Sequence, residues 1–86
     1  MNEKMIVYGT AWCGDTRRAI KILDECQIDY EYINIDRNPE GEVLVKEINK
    51  GFRSVPTIIF PDGSIIVEPT NEELKSKLLE YKYFKQ

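Results

Sequence analysis

The stretch that most constrains this chain is the handover from Met5-Ile6-Val7-Tyr8 to Trp12-Cys13-Gly14-Asp15-Thr16-Arg17-Arg18. The first run is apolar, β-branched and closes on an aromatic residue, as a buried strand does. Gly9-Thr10-Ala11 lets the chain turn. From about Gly14 to Gln27, Ala19, Ile22, Leu23 and Cys26 follow the i, i+3, i+4, i+7 spacing of one helical face, widened by Ile20. Cys13 thus falls where a strand gives way to a helix. Backbone N–H groups at a helix N-terminus have no intrahelical partner, and the helix dipole adds partial positive charge there. Both favour a thiolate over a thiol. The expectation is a nucleophilic Cys13, off the apolar stripe and next to a small glycine. Cys26, on the stripe, is expected to be a small buried hydrophobe.

The remaining elements follow in short alternation. Tyr30–Ile35 reads as a second strand, parallel to the first because a helix separates them. Asn38 and Pro39 suit the cap and first turn of a second helix, with Val43, Leu44 and Ile48 on its apolar side and Gly51 in the left-handed position that ends it. Thr57–Phe60 and Ser64–Val67 are strands joined as a hairpin through Pro61-Asp62-Gly63-Ser64. Thr70 and Glu73 match a capping box opening a third helix, whose Leu74, Leu78 and Tyr81 face inward with Leu79 nearby, and whose end is expected to fray at Tyr83 and Phe84. The order βαβαββα implies an α/β fold: one four-stranded mixed sheet with helices on both faces.

Composition narrows the chemistry. The 86 residues suffice for a single domain, 1–86, with a modest core. The net charge of −3, without a basic patch interleaved with aromatics, argues against nucleic acid as partner. No apolar run approaches bilayer length and no signal-peptide pattern opens the chain, so a cytoplasmic protein that does not bind membranes is expected. Histidine is absent, which removes Cys–His and Ser–His catalysis. The two cysteines are too few for a zinc site, so no metal is expected. Placed on one helix they lie about 20 Å apart at 1.5 Å rise per residue, too far for the roughly 4.4–6.8 Å of a disulfide. Cys13 works alone or with a thiol from outside.

Three features in order resemble the glutaredoxin branch of the thioredoxin superfamily: Trp12-Cys13-Gly14-Asp15-Thr16 after the first strand, Ser54-Val55-Pro56-Thr57 before the third, and the Pro-Asp-Gly-Ser hairpin followed by Glu68-Pro69-Thr70-Asn71. The resemblance covers nearly the whole chain. Within the branch, Trp12-Cys13-Gly14 and Arg53-Ser54-Val55-Pro56-Thr57 look most like the mycoredoxin and NrdH-like group. The resemblance implies a thioredoxin/glutaredoxin-like fold and a cis bond before Pro56. That loop would set the Val55 N–H and C=O beside Cys13, ready to pair with an extended peptide or the cysteinyl part of a small thiol. Thr16 stands where dithiol members carry the second cysteine. Its hydroxyl can donate to the Cys13 thiolate, or it is simply a polar first-turn residue.

Other positions carry two readings as well. Asp15 suits the helix dipole but opposes the thiolate, with Arg17 and Arg18 as compensating charge. Thr10 replaces the lysine often found three before the cysteine, and Glu68-Pro69-Thr70-Asn71 replaces a Gly-Gly-x-Asp-like segment. Arg53 could grip one carboxylate of a ligand and the N–H groups of Thr70 and Asn71 another. Trp12 offers a flat apolar contact for substrate, or packs at the sheet edge.

The function implied is a monothiol thiol–disulfide oxidoreductase in cell redox homeostasis. It would reduce mixed disulfides between proteins and low-molecular-weight thiols through Cys13. No cofactor is tightly bound, glutathione or another small thiol is the co-substrate, disulfide-containing proteins are the partners, and the chain is a monomer. Two alternatives are an iron–sulfur cluster held between two subunits by one Cys13 each, and a non-catalytic interaction domain on the thioredoxin fold.

Overall fold

A computed structural model of the chain describes residues 4–85. Its elements run β1 (Met5–Gly9), α1 (Gly14–Glu25), β2 (Tyr30–Asn34), α2 (Pro39–Ile48), β3 (Thr57–Ile59), β4 (Ile65–Val67) and α3 (Asn71–Lys85). One sheet has the order β2-β1-β3-β4. β1 pairs parallel with β2 and antiparallel with β3, and β3 pairs antiparallel with β4. This is the mixed α/β sheet anticipated from the alternation of patterns.

Side-chain alternation along the strands sorts the core into two layers. Met5, Val7 and Ile58 pack with Ala19, Ile22 and Leu23 of α1 and Leu74 and Leu78 of α3. Tyr8, Ile35 and Val45 form the second layer, with Ile6, Ile33, Leu44 and Ile59 around them, beneath α2. Helices thus cover both faces. Each fully buried Leu, Ile or Phe here contributes roughly 1.5–3 kcal/mol relative to exposure. α3 is fixed further by the edge-to-face contact of Tyr81 on Phe60, with ring centroids 5.6 Å apart.

The helix ends differ from the expected ones. α1 stops at Glu25, because Gln27 adopts a left-handed φ of 57° and the Ile28 N–H turns back to the Leu23 carbonyl at 2.9 Å. Cys26 is therefore the C-cap, half-buried against the core. α2 ends the same way: Lys50, not Gly51, takes the first left-handed position at φ 57°, and the Gly51 N–H reaches the Lys46 carbonyl at 2.6 Å. On α2 the inward stripe is Gly41, Leu44, Val45 and Ile48, whereas Val43 is 56 % exposed. Leu79 is likewise outward on α3. The helix continues through Lys85, past the fraying expected at Tyr83 and Phe84, whose side chains lie outside those described.

Candidate active site

β1 and β2 run side by side with Gly9 opposite Asn34. The segments leaving their C-terminal ends must therefore emerge together, as ligand crevices of α/β sheets do. Trp12-Cys13 follows β1 and Asp36 follows β2. Cys13 is the N-cap of α1, extended at φ −81° and ψ 122°, with its carbonyl accepting from the Arg17 N–H at 3.1 Å. Its side chain makes no capping bond and is half-buried, so the sulfur stands at the mouth of the helix. There its S–H donates to the Val55 carbonyl at 3.9 Å.

The Val55 loop is held from below. The Val55–Pro56 bond is cis, as the resemblance implied, and Pro56 is buried. Thr57, fully buried, donates its hydroxyl to the Ser54 carbonyl at 2.7 Å and accepts from the Asn49 amide at 3.1 Å. Glu68 takes a left-handed φ of 47°, so that its N–H meets the Pro56 carbonyl at 2.9 Å. The loop is thereby anchored to the end of α2 and to the approach to α3.

Around the sulfur, charged side chains are already paired. The Trp12 indole N–H donates to one Asp36 oxygen at 2.9 Å, and Arg53 donates to the other at 2.5 Å. Arg53 also meets Glu42 at 2.7 Å, and Lys46 joins Glu42 at 3.7 Å. Hydrogen bonds from Arg53 and then Trp12 hold the Asp36 carboxyl below the usual range, and Asp36 holds the Arg53 guanidinium charged. On the opposite rim Arg18 donates to Asp15 at 2.6 Å and to the Asn71 side chain at 2.6 Å. The negative charge of Asp15 beside Cys13 is thus offset by Arg18.

Several sequence expectations change here. Arg53 does not wait as a free grip for a ligand carboxylate, because two carboxylates of its own chain occupy it. Thr70 does not offer its N–H: the capping box forms, with that N–H donating to Glu73 at 2.8 Å and the Thr70 hydroxyl accepting from the Glu73 N–H at 3.0 Å. The Asn71 side chain accepts from Arg18 at 2.6 Å. The Thr16 hydroxyl makes no bond to Cys13; the side chain is buried and rests on Gly9, where an added Cβ would lie 2.5 Å from Thr16 Cγ2. Trp12 is 66 % exposed, so it presents an indole face to solvent rather than packing at the sheet edge. Cys13, Val55 and Pro56 come together as expected, with Trp12 and Arg53 joined through Asp36. Asp36 was missed. The signal available for Asp36 was its place just beyond the end of a strand parallel to β1.

Residues 5–66 match the family model described as Glutaredoxin. The chain belongs to the glutaredoxin family. It is 36 % identical over 75 residues to a Mycobacterium tuberculosis protein assigned to the glutaredoxins, covering 87 % of this chain and 89 % of that one. It is 35 % identical over 76 residues to mycoredoxin 1 of Corynebacterium glutamicum, covering 88 % and 94 %. The crystal structure of a glutaredoxin from Archaeoglobus fulgidus superposes with a TM-score of 0.68 at 25 % identity, over 85 % of this chain and 83 % of that one. These relatives match the mycoredoxin-like branch and support a thiol–disulfide oxidoreductase role, with thiol- or disulfide-containing substrates. Among the described residues no helix is long and apolar enough to cross a membrane.

Proposed function

We propose that Cys13 alone carries a monothiol exchange. Its thiolate attacks the small-thiol sulfur of a protein mixed disulfide, the protein thiolate leaves, and Cys13 is left disulfide-bonded to the small thiol. A second small-thiol thiolate attacks that adduct, forming the small-molecule disulfide and regenerating Cys13. Each step forms and breaks one S–S bond, so one cysteine suffices. The observation that carries this reading is the Cys13 sulfur at the helix mouth, half-exposed and 3.9 Å from the main chain of Val55. An incoming sulfur can approach from the open side while its own backbone lies along the Val55 segment. Trp12, 66 % exposed beside Cys13 in the chain, offers apolar area to the substrate. Glutathione or a sugar thiol such as mycothiol fits as co-substrate. Because Arg53 and Arg18 are already committed, a carboxylate-bearing thiol must compete with Asp36, Glu42 and Asp15 for them.

The test is removal of a small thiol from a protein mixed disulfide. Cys13→Ser should abolish turnover and Cys26→Ser should leave it intact. Undiminished activity in the Cys13→Ser protein would overturn the assignment.

A further inference from the structure

Three consecutive carbonyls lead into β3, and the outer two are tied down while the middle one faces the thiol. The Ser54 carbonyl accepts the Thr57 hydroxyl at 2.7 Å, and the Pro56 carbonyl accepts the Glu68 N–H at 2.9 Å. The Val55 carbonyl between them accepts from Cys13 Sγ at 3.9 Å. The Pro56 contact is main chain on both sides, whereas the Ser54 contact depends on one side chain. Thr57 opens β3, where its backbone pairs with Tyr8 of β1, and it is wholly buried. Its hydroxyl has a single hydrogen to give. Asn49, the C-cap of α2, donates its amide to that oxygen at 3.1 Å and to the Val45 carbonyl at 2.8 Å. An oxygen that accepts on one side turns its own hydrogen to the other, here to Ser54.

We propose that Thr57 is a positioning residue, seated by Asn49, that presents the Val55 main chain to the backbone of the substrate. Its hydroxyl fixes the carbonyl on the N-terminal side of Val55, and Glu68 fixes the one on the C-terminal side. Val55 itself is left turned toward the sulfur. When Cys13 ionises, the hydrogen it gave to Val55 is gone. That carbonyl then accepts from a backbone N–H arriving beside the incoming sulfur. Without the Thr57 hydroxyl the Ser54 carbonyl loses its partner, and the Val55 peptide gains freedom to turn away. The loss falls on substrates that carry a backbone next to their sulfur, and leaves the thiol of Cys13 as it was. The role rests on Cys13 being the exchanging thiol.

Two uncharged, symmetrical disulfides test it. One is the disulfide of a capped Ala-Cys-Ala tripeptide, whose sulfur carries a backbone. The other is hydroxyethyl disulfide, whose sulfur carries none. In each reaction the Cys13 thiolate attacks one sulfur, forms a mixed disulfide and releases the other half as a thiolate. Adduct formation on the Cys13 peptide is followed by mass spectrometry in the wild type, Thr57→Val and Thr57→Ser. Valine keeps the shape and removes the hydroxyl, whereas serine keeps the hydroxyl and removes a buried methyl. Thr57→Val should react roughly two- to tenfold more slowly with the peptide disulfide, the net effect of one hydrogen bond. With hydroxyethyl disulfide it should match the wild type. Thr57→Ser should match the wild type with both, although its urea midpoint falls. Asn49→Ala should slow the peptide reaction and add nothing to Thr57→Val, because both act through one bond. An unchanged ratio of the two rates in Thr57→Val overturns the proposal. So does an equal fall with both disulfides, which would mean damage at Cys13 or to the fold. Equal slowing in Thr57→Ser, which would mean methyl packing, overturns it too, as does further slowing when Asn49→Ala is added to Thr57→Val. Loss of exchange activity in Cys13→Ser tests the functional reading separately.

Discussion

Gly9→Ala offers a sharp test of how the site is floored. Gly9 lies in β1 without a left-handed φ, so alanine meets no backbone strain there and would by propensity be slightly favourable. The obstacle is Thr16: the new Cβ would lie 2.5 Å from its Cγ2 and 2.7 Å from its Oγ1. Carbon atoms rest at about 3.5–4.0 Å. Two of the three staggered positions on Thr16 Cβ thus face Gly9. Threonine fills two of the three in every rotamer, so no rotation clears both. Thr16 is buried on the first turn of α1 and cannot swing into solvent. We expect Gly9→Ala to cost about 2 kcal/mol, within the usual range for overpacking. At a urea slope of about 1 kcal/mol per molar this lowers the midpoint by roughly 2 M. Thr16→Ala alone should be nearly neutral, because a lost methyl worth about 0.8 kcal/mol is offset by removal of an unpartnered hydroxyl. In the double variant Thr16 Cβ, 3.1 Å away, still crowds the new methyl. Urea unfolding of all four proteins should show a coupling of about 1–2 kcal/mol. Additivity within about 0.5 kcal/mol would refute the contact between these two residues.

Further outcomes follow from the same geometry. Asn38→Ala removes the cap that accepts from the Gly41 N–H at 2.7 Å and should cost about 1 kcal/mol in urea unfolding, with Asn38→Asp retaining most of it. Asp36 is held below the ordinary carboxylate range by Arg53 and Trp12. Its contribution to stability is therefore present above the unfolded value of about 3.9 and is lost as pH falls through the lower folded value. The single tryptophan, bonded to that carboxylate, should report this as a fluorescence transition below pH 3.9; a transition at or above about pH 4 would contradict the bridge. Tyr30 donates to Asp24 at 2.8 Å, and burial first, then that bond, raises its phenol to about 12. The stability it adds is whole below the unfolded value of about 10 and is lost as pH rises toward the folded one. Tyr30→Phe should flatten the alkaline fall in the urea midpoint.

The order of elements was legible because strand runs and helical spacing are local patterns, and Cys13 at the head of α1 followed from them. The Val55–Pro56 loop needed the family resemblance as well. Helix ends were less legible: Gln27 and Lys50 adopt left-handed conformations that residue type disfavours, because the returning N–H groups of Ile28 and Gly51 close the last turns. Val43 was read inward and Val45 carries the core, since Gly41 at the start of α2 fits closely against Tyr8 and Ile33 and fixes the rotation of the helix. The arginines misled for another reason. Whether Arg53 is free depends on Asp36 and Glu42, brought to it from a loop and a helix by the β1–β2 register and the placement of α2. No local pattern in the sequence records that meeting.

Helix α1 puts Cys13 at one end and Cys26 at the other, with twelve residues of rigid rod between. An oxidising equivalent that lands on Cys13 cannot be stored by closing a ring inside the molecule. Any disulfide at Cys13 must be completed by sulfur from another molecule, and so carries a chemical record of its last encounter. The adducts found on this one residue in cells would read as a census of the thiols it meets.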